Sequence, residues 1–283
     1  KLLHAVTPAM REGSGLVEFS KLCPSQYHDV AIAEQHALTL ASSMALGGLK
    51  PIVAIYSTFL QRGYDQYVHD IAIQQCNVLF AVDRAGIVGA DGSTHTGNFD
   101  ISFLRCIPDT VIMTPSDASE LQLLLNTGYE YNGPAFVRYP RDVSEPVDQV
   151  DTQTTVKVGE AKKVNEGSKV ALLVFGPLLE QAKTVALKTN ITLVDMRFVA
   201  PLDKEMLKQV CEQHEVIITL EDNTIVGGAG SGVMEWMQQN KFYQPCVTLG
   251  LPNAFPEHAT REQIFTDYGL DSNGLLATIE SYL

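Results

Sequence analysis

Apolar residues fall into short blocks that alternate between two periods. Ile52 to Tyr56, Asn77 to Val82, Val111 to Met113 and Ala135 to Tyr139 are strand-length runs, and Asn77 to Val82 reads as a parallel strand covered on both faces. Between them, apolar positions recur at helical spacing. Leu16 to Lys21 is a candidate helix, and Ala33, Ala37, Leu38, Ala41, Met44 and Ala45 mark a second. Phe59 to Ile73 and Asp117 to Thr127 mark two more. Gly47-Gly48 stops the second helix, Ser57 or Thr58 is placed to cap the third, and Ser116 the fourth. The opening, through Gly15, is turn-rich.

The second half repeats the alternation. Val170 to Phe175, Ile191 to Val194, Val216 to Leu220 and Cys246 to Leu249 read as strands. Helices fit Leu178 to Lys188, Lys204 to Gln213, Gly232 to Gln239, Arg261 to Phe265 and Ser272 to Leu283. Strand and helix alternating throughout predicts an α/β protein of two doubly wound domains with mostly parallel sheets, the second domain smaller. From Pro140 onward apolar content falls, and Asp142, Glu145, Asp148 and Asp151 accumulate. The expected division is a first domain over residues 1–141, a linker over 142–157 and a second domain over 158–283.

One stretch organises the first domain. Asp29 to Ala37 reads as a short buried strand running into a helix: Val30 and Ile32 alternate as strand residues do, and Glu34 stands at the junction. The carboxyl ends of strands are where open α/β sheets bind ligands. A carboxyl group walled there by Ala and Ile is desolvated, which favours its neutral form. The bland alternative is that Glu34 only complements the helix dipole.

Composition narrows the function. The formal net charge of −13 argues against nucleic acid as a partner, so an anionic substrate needs a local Arg cluster. Five cysteines without a C-x-x-C pair fit a reducing cytosol, and the apolar runs are too short for a membrane span. The start has no signal-peptide core and no initiating Met, which fits a piece of a longer polypeptide.

The glycine-rich loop from Asp83 to Asp100 also leaves a strand end, and a loop this long inside a compact domain is usually functional. Within it Arg84 can clamp a phosphate or carboxylate, His95 can shuttle a proton, and Asp91 can orient His95 or bond a substrate hydroxyl. Tyr56 and Phe59 offer flat faces for a heteroaromatic ring and Arg62 a charge; core packing and a surface ion pair are the plain alternatives. Arg138 and Arg141 either join an anion pocket or form salt bridges near the linker. Gly227 to Gly232 offers a dinucleotide-type turn, but its spacing departs from G-x-G-x-x-G, and close packing of helix on sheet explains the glycines. The seven His residues show no metal-ligand spacing, so no metal bound by this chain is expected.

Seven stretches together, Ala31–Ala37, Ile55–Arg62, Asp83–Gly92, Arg105–Pro108, Met113–Asp117, Val194–Phe198 and Glu221–Gly232, resemble the 1-deoxy-D-xylulose-5-phosphate synthase family of the transketolase superfamily. The resemblance covers essentially the whole chain and implies a pyrimidine-binding domain followed by a transketolase C-terminal domain. It implies thiamine diphosphate and Mg²⁺ as cofactors, pyruvate and D-glyceraldehyde 3-phosphate as substrates, a homodimer, and the first step of non-mevalonate isoprenoid synthesis. It implies Glu34 on the pyrimidine nitrogen, kept neutral by an apolar setting, and Phe59 stacked on the ring. It also implies an acceptor pocket of Tyr56, Arg62, Arg84, Asp91, His95 and Arg141. In that pocket Arg84 and Arg141 hold the phosphate, and His95 and Asp91 assist proton transfer or bind hydroxyls. The family's diphosphate motif, G-D-G followed by a distant Asn, is missing: Ala90 precedes Asp91-Gly92. A diphosphate and Mg²⁺ domain is therefore expected N-terminal to this chain. The alternatives are the β subunit of a 2-oxoacid dehydrogenase E1 component and, in another class, a non-catalytic nucleotide-binding module.

Overall fold

The structure, a computed structural model, describes residues 2–143, 150, 151 and 153–283. Of the linker expected over 142–157, residues 144–149 and 152, with Glu145 and Asp148, lie outside the described residues.

The first half contributes strands β1 (Leu3–Thr7), β2 (Tyr27–Asp29), β3 (Lys50–Tyr56), β4 (Leu79–Asp83), β5 (Val111–Met113) and β6 (Ala135–Arg138). Its helices are α1 (Val17–Leu22), α2 (Glu34–Leu46), α3 (Ser57–Leu60), α4 (Tyr64–Gln66), α5 (Asp100–Leu104) and α6 (Ala118–Glu130). The second half contributes β7 (Lys162–Asn165), β8 (Val170–Phe175), β9 (Thr192–Asp195), β10 (Phe198–Ala200), β11 (Val216–Thr224) and β12 (Cys246–Leu251). Its helices are α7 (Leu179–Thr189), α8 (Lys204–Gln213), α9 (Ala229–Gln239), α10 (Arg261–Asp267) and α11 (Ser272–Glu280).

Seven strands form one sheet in the order β10-β5-β6-β4-β3-β1-β2, and five form another in the order β12-β11-β8-β9-β7. Among the named strands of the described residues, β10 on β5 and β7 on β9 pair antiparallel and the other pairs are parallel. The expected architecture of two α/β domains with mostly parallel sheets is therefore present. In the first core Phe80 and Phe136 stack from adjacent strands with ring centroids 4.2 Å apart, and Tyr67 stands edge-on to Phe136 at 4.9 Å.

Several local expectations are corrected. Strand β1 lies in the stretch read as turn-rich, and β10 crosses from the second half to edge the first sheet. Val30 and Ile32 are not a buried strand. The Asp29 carboxylate ends β2 by accepting from the N–H groups of Ala31 (2.9 Å) and Ala9 (3.0 Å), and Ala31 takes a left-handed φ of 57°. Ile32 is left 70% exposed. Phe59 to Ile73 is not one helix. It passes from α3 through a tight turn at Gln61–Gly63 into α4 and then a π-helical turn at Tyr67–Ala72. Ser57 and Thr58 do not cap it; their hydroxyls donate to the carbonyls of Gly97 (3.3 Å) and Thr94 (3.2 Å). The cap of α6 is Asp117, which accepts from the Glu120 N–H at 2.8 Å, while Ser116 donates to Asp195 at 2.7 Å.

Strand β11 runs four residues past its expected end because the polar run Glu221 to Thr224 is buried. Asp222 meets the guanidinium of Arg138, which also donates from Nε to both oxygens of Asp100 at 3.1 and 2.9 Å. Arg138 is 2% exposed, so it serves as a buried tie between the domains and not as part of an anion pocket. Beside it, Glu221 accepts from the N–H groups of Ala229 and Gly230, both at 2.8 Å. The start of α9 is thus filled from within the chain. A Cβ at Gly228 would collide with the same carboxylate, and one at Gly230 with Thr219. Those glycines serve packing, and the Glu221 carboxylate already takes the N–H groups of Ala229 and Gly230 that a phosphate would use.

Two outcomes follow from this interface. Arg138→Met leaves two buried carboxylates without their cation and is expected to lower unfolding stability by about 3–5 kcal/mol, measured by chemical denaturation. Burial pushes the Glu221 carboxyl up to about 7 against the two N–H donors, and burial pushes Asp195 up to about 6. Both groups hold their proton more tightly folded than unfolded, so they favour the fold most at low pH. That contribution is lost as pH rises from the ordinary carboxylate range to about 7. Glu221→Gln should flatten the upper part of this decline in a pH series of denaturation curves, leaving the part due to Asp195.

Candidate active site

Strands β3, β4 and β6 are adjacent and parallel, so their carboxyl ends share one edge of the sheet. Each feeds part of one cluster: Tyr56 and α3 after β3, the loop from Arg84 after β4, and Arg141 after β6.

Glu34 is the first residue of α2 and is 1% exposed. Its Oε2 is buried without a hydrogen-bond partner. Arg62 Nε lies 3.5 Å from that oxygen, a charge contact that lacks hydrogen-bond geometry, and the Arg62 side chain is 50% exposed. The setting of Glu34 is therefore not purely apolar, as the sequence suggested, but carries a counter-charge on its solvent side. Gly63 permits this approach: a Cβ there would lie 3.0 Å from Leu38 and 3.4 Å from the Glu34 carbonyl, both on α2.

Phe59 stands one helical turn before Arg62, which places both on one side of the segment. Its ring stacks on Tyr56 at 5.8 Å and meets the edge of His95 at 5.5 Å. The Arg84 guanidinium lies over the Tyr56 ring, 4.1 Å from its centre. Burial pushes the Tyr56 phenol up, which keeps it a neutral donor.

The glycine-rich loop is closed at its base by two hydrogen bonds between Gly86 and Gly97, each 2.8 Å. Arg84 adopts a left-handed φ of 57° to turn into the loop, and its N–H donates to the buried Asp83 carboxylate at 2.6 Å. Asp91 Oδ2 accepts from both Arg84 and Arg141, the latter at 2.7 Å. Asp91 thus gathers two cations. Of the two roles open to Asp91, orienting His95 or bonding a substrate hydroxyl, the first draws no support from the His95 Nδ1 contact, which is to Thr94 Oγ1 at 2.9 Å. Of the residues singled out in the sequence, Glu34 and Arg62 form one contact, and Tyr56, Phe59, Arg84, Asp91, His95 and Arg141 form a connected cluster. Arg138 stands apart, within the domain interface.

Residues that sequence reasoning passed over hold this cluster from behind. Gly86 abuts Asp222, where a Cβ would collide, and the Thr224 N–H donates to the Asn98 carbonyl at 2.8 Å. The Tyr56 hydroxyl fills the space above Gly13. The one available signal was a run of four polar residues, Glu221 to Thr224, directly after an apolar strand. Among the described residues, no group of three or more His, Cys, Asp or Glu is arranged to hold a metal ion, and no helix is long and apolar enough to cross a membrane.

Comparison with known proteins adds to this geometry. Residues 2–145 match the family model of the transketolase pyrimidine-binding domain, and residues 159–275 that of the transketolase C-terminal domain. The chain is 53% identical over 282 residues to 1-deoxy-D-xylulose-5-phosphate synthase of Shewanella frigidimarina, covering 99% of this chain and 45% of that protein. It is 56% identical over 282 residues to the synthase of an Enterobacter species, with the same coverage. The chain thus spans less than half the length of these relatives. Among solved structures, it superposes on an inactive β4 tetramer of a split-gene transketolase with a TM-score of 0.86 at 22% identity, covering 100% of this chain and 92% of that one. It superposes on transketolase of Campylobacter jejuni with a TM-score of 0.78 at 17% identity, covering 99% and 44%. These two likenesses support the fold.

The loop base yields a direct test. A Cβ at Gly97 would collide with the Arg84 carbonyl and approach Ser57 Cβ and Oγ at 2.8 Å. Gly97→Ala should cost about 1–3 kcal/mol, read from the unfolding midpoint, because neither backbone nor buried Ser57 can yield freely.

Proposed function

The chain belongs to the transketolase family, and on that premise we propose that it supplies the pyrimidine-side half of a 1-deoxy-D-xylulose-5-phosphate synthase active site. The reaction joins pyruvate, with loss of CO₂, to D-glyceraldehyde 3-phosphate, in the cytosol and in a dimeric enzyme. The observation that carries the reading is the buried Glu34 carboxyl, whose Oε2 lacks a hydrogen-bond partner at a sheet edge that also gathers two aromatic rings and two arginines. An orphaned buried oxygen is costly, and a ring nitrogen of the cofactor's pyrimidine fits it.

When bound, thiamine diphosphate supplies the carbon nucleophile that carries the two-carbon unit. The chain's own residues then have distinct tasks. Glu34 bonds the pyrimidine nitrogen and sets the ring's tautomer, and Phe59 offers a face for stacking. Arg84 and Arg141, held together through Asp91, bind the acceptor phosphate. His95, at the edge of Phe59, moves a proton at the acceptor carbonyl, and the Tyr56 phenol donates a hydrogen bond nearby. Arg62 closes the solvent side of Glu34. Mg²⁺ and the diphosphate are assigned to a domain outside this chain.

The test is reconstitution with the N-terminal portion of a related synthase. We expect product from pyruvate and D-glyceraldehyde 3-phosphate in the mixture and none from the 283-residue chain alone. Glu34→Gln should lower kcat in the mixture by about a hundredfold or more. Turnover by the chain alone, or a preference for lipoamide as acceptor, refutes the assignment; the latter points to a 2-oxoacid dehydrogenase β subunit.

A further inference from the structure

The acceptor loop is seated by the second domain at a point that none of its own residues explains. The His258 ring donates from Nδ1 to the Ala90 carbonyl at 3.1 Å. The same ring occupies the space over Gly92: a Cβ there would collide with Cε1 and lie 2.6 Å from Nδ1 and Nε2. Gly92 has φ of 68°, so the turn needs glycine twice over, for its backbone and for the ring above it. Ala90 and Gly92 flank Asp91, so one imidazole holds the chain on both sides of the carboxylate that gathers Arg84 and Arg141. Three residues on, Arg261 is paired with Asp142, the neighbour of Arg141. Gly89 packs against the backbone between them, with a notional Cβ 3.3 Å from the Ala259 carbonyl. The segment from His258 to Arg261 therefore braces both ends of the arginine–aspartate–arginine cluster.

We propose that His258 is a positioning residue for the anion site formed by Arg84, Asp91 and Arg141, setting the affinity for the phosphate group of the acceptor. This rests on the functional reading above for the acceptor's identity, though not for the existence of the anion site. Without the ring, the Gly89–Gly92 turn loses its outer contact, and the two guanidinium groups lose the fixed carboxylate that spaces them.

The experiment has two arms. In the 283-residue chain, inorganic phosphate is titrated while the Arg84 and Arg141 Nε–H resonances are followed by NMR. We expect His258→Ala to weaken phosphate binding about tenfold and His258→Asn, whose amide nitrogen can replace Nδ1 as donor to Ala90, to recover most of it. In the reconstituted enzyme, KM for D-glyceraldehyde 3-phosphate should rise in His258→Ala with kcat little changed. Use of unphosphorylated D-glyceraldehyde should stay constant. Unchanged phosphate binding in His258→Ala overturns the proposal, as does an equal loss with both aldehydes. If the reconstituted wild type uses neither aldehyde, the synthase reading fails, while the phosphate titration still decides the role of His258.

Discussion

The buried guanidinium of Arg138 is the constraint on which the site depends. It sits at the end of β6 and binds Asp100, which begins α5 where the glycine-rich loop ends, and Asp222, which belongs to the second domain. One cation thus joins the last strand of the first sheet, the far end of the loop and the neighbouring domain. Burial pushes the Asp100 carboxyl up, with Arg138 opposing the shift. Such a cluster adds little net stability over an apolar one of the same shape, but it tolerates few alternative arrangements, because every wrong one strands a charge. Its value here lies in fixing where the loop begins and ends. Asp222 also lies over Gly86, so the start of the loop is tied to the same residue as its end.

A loop held this firmly can maintain strained and repulsive features. Arg84 occupies left-handed backbone space that a side chain rarely adopts, and it stands beside a second guanidinium with one carboxylate between them. Two carboxylates face these two cations, Asp91 between them and the buried Asp83 beside Arg84, so the cluster gathers paired charges in a chain whose formal charge is −13.

The alternation of strand and helix was legible because buried parallel strands write themselves as uninterrupted apolar runs, as at 79–82 and Val170–Phe175. The residues at strand ends were legible for the same reason, since the runs show where each strand stops. Strand β1 was hidden because its outer residues are only half covered and a His interrupts them, and β10 because three residues beside a proline carry too little pattern. Ile32 was misread because alternation in sequence does not tell a strand from a turn that an aspartate closes. The interface was least legible: Glu221 to Thr224 looks like a loop in one dimension and is buried strand in three, since its partners Arg138, Asn98 and Ser102 come from distant parts of the chain. Likewise, nothing local to His258 reveals that its ring lies on Gly92 more than 150 residues earlier.

Glu34 makes the last step. A carboxyl oxygen enclosed by protein and lacking a hydrogen bond is a standing cost of about 1–3 kcal/mol or more. Glu34 is fixed there as the first residue of α2, with the left-handed Ala31 before it and Gly63 close to its carbonyl. Arg62 relieves the cost only in part: it approaches the same oxygen from the half-exposed side, on a long side chain that ordering penalises. In the proposed reading, a planar ring bearing a polar nitrogen completes the hydrogen bond that Arg62 does not make. The energy released by satisfying that oxygen is then available to orient the ring. On the proposed reading, a site whose buried carboxyl is unsatisfied until its ligand arrives would discriminate against anything that cannot hydrogen-bond at that one atom.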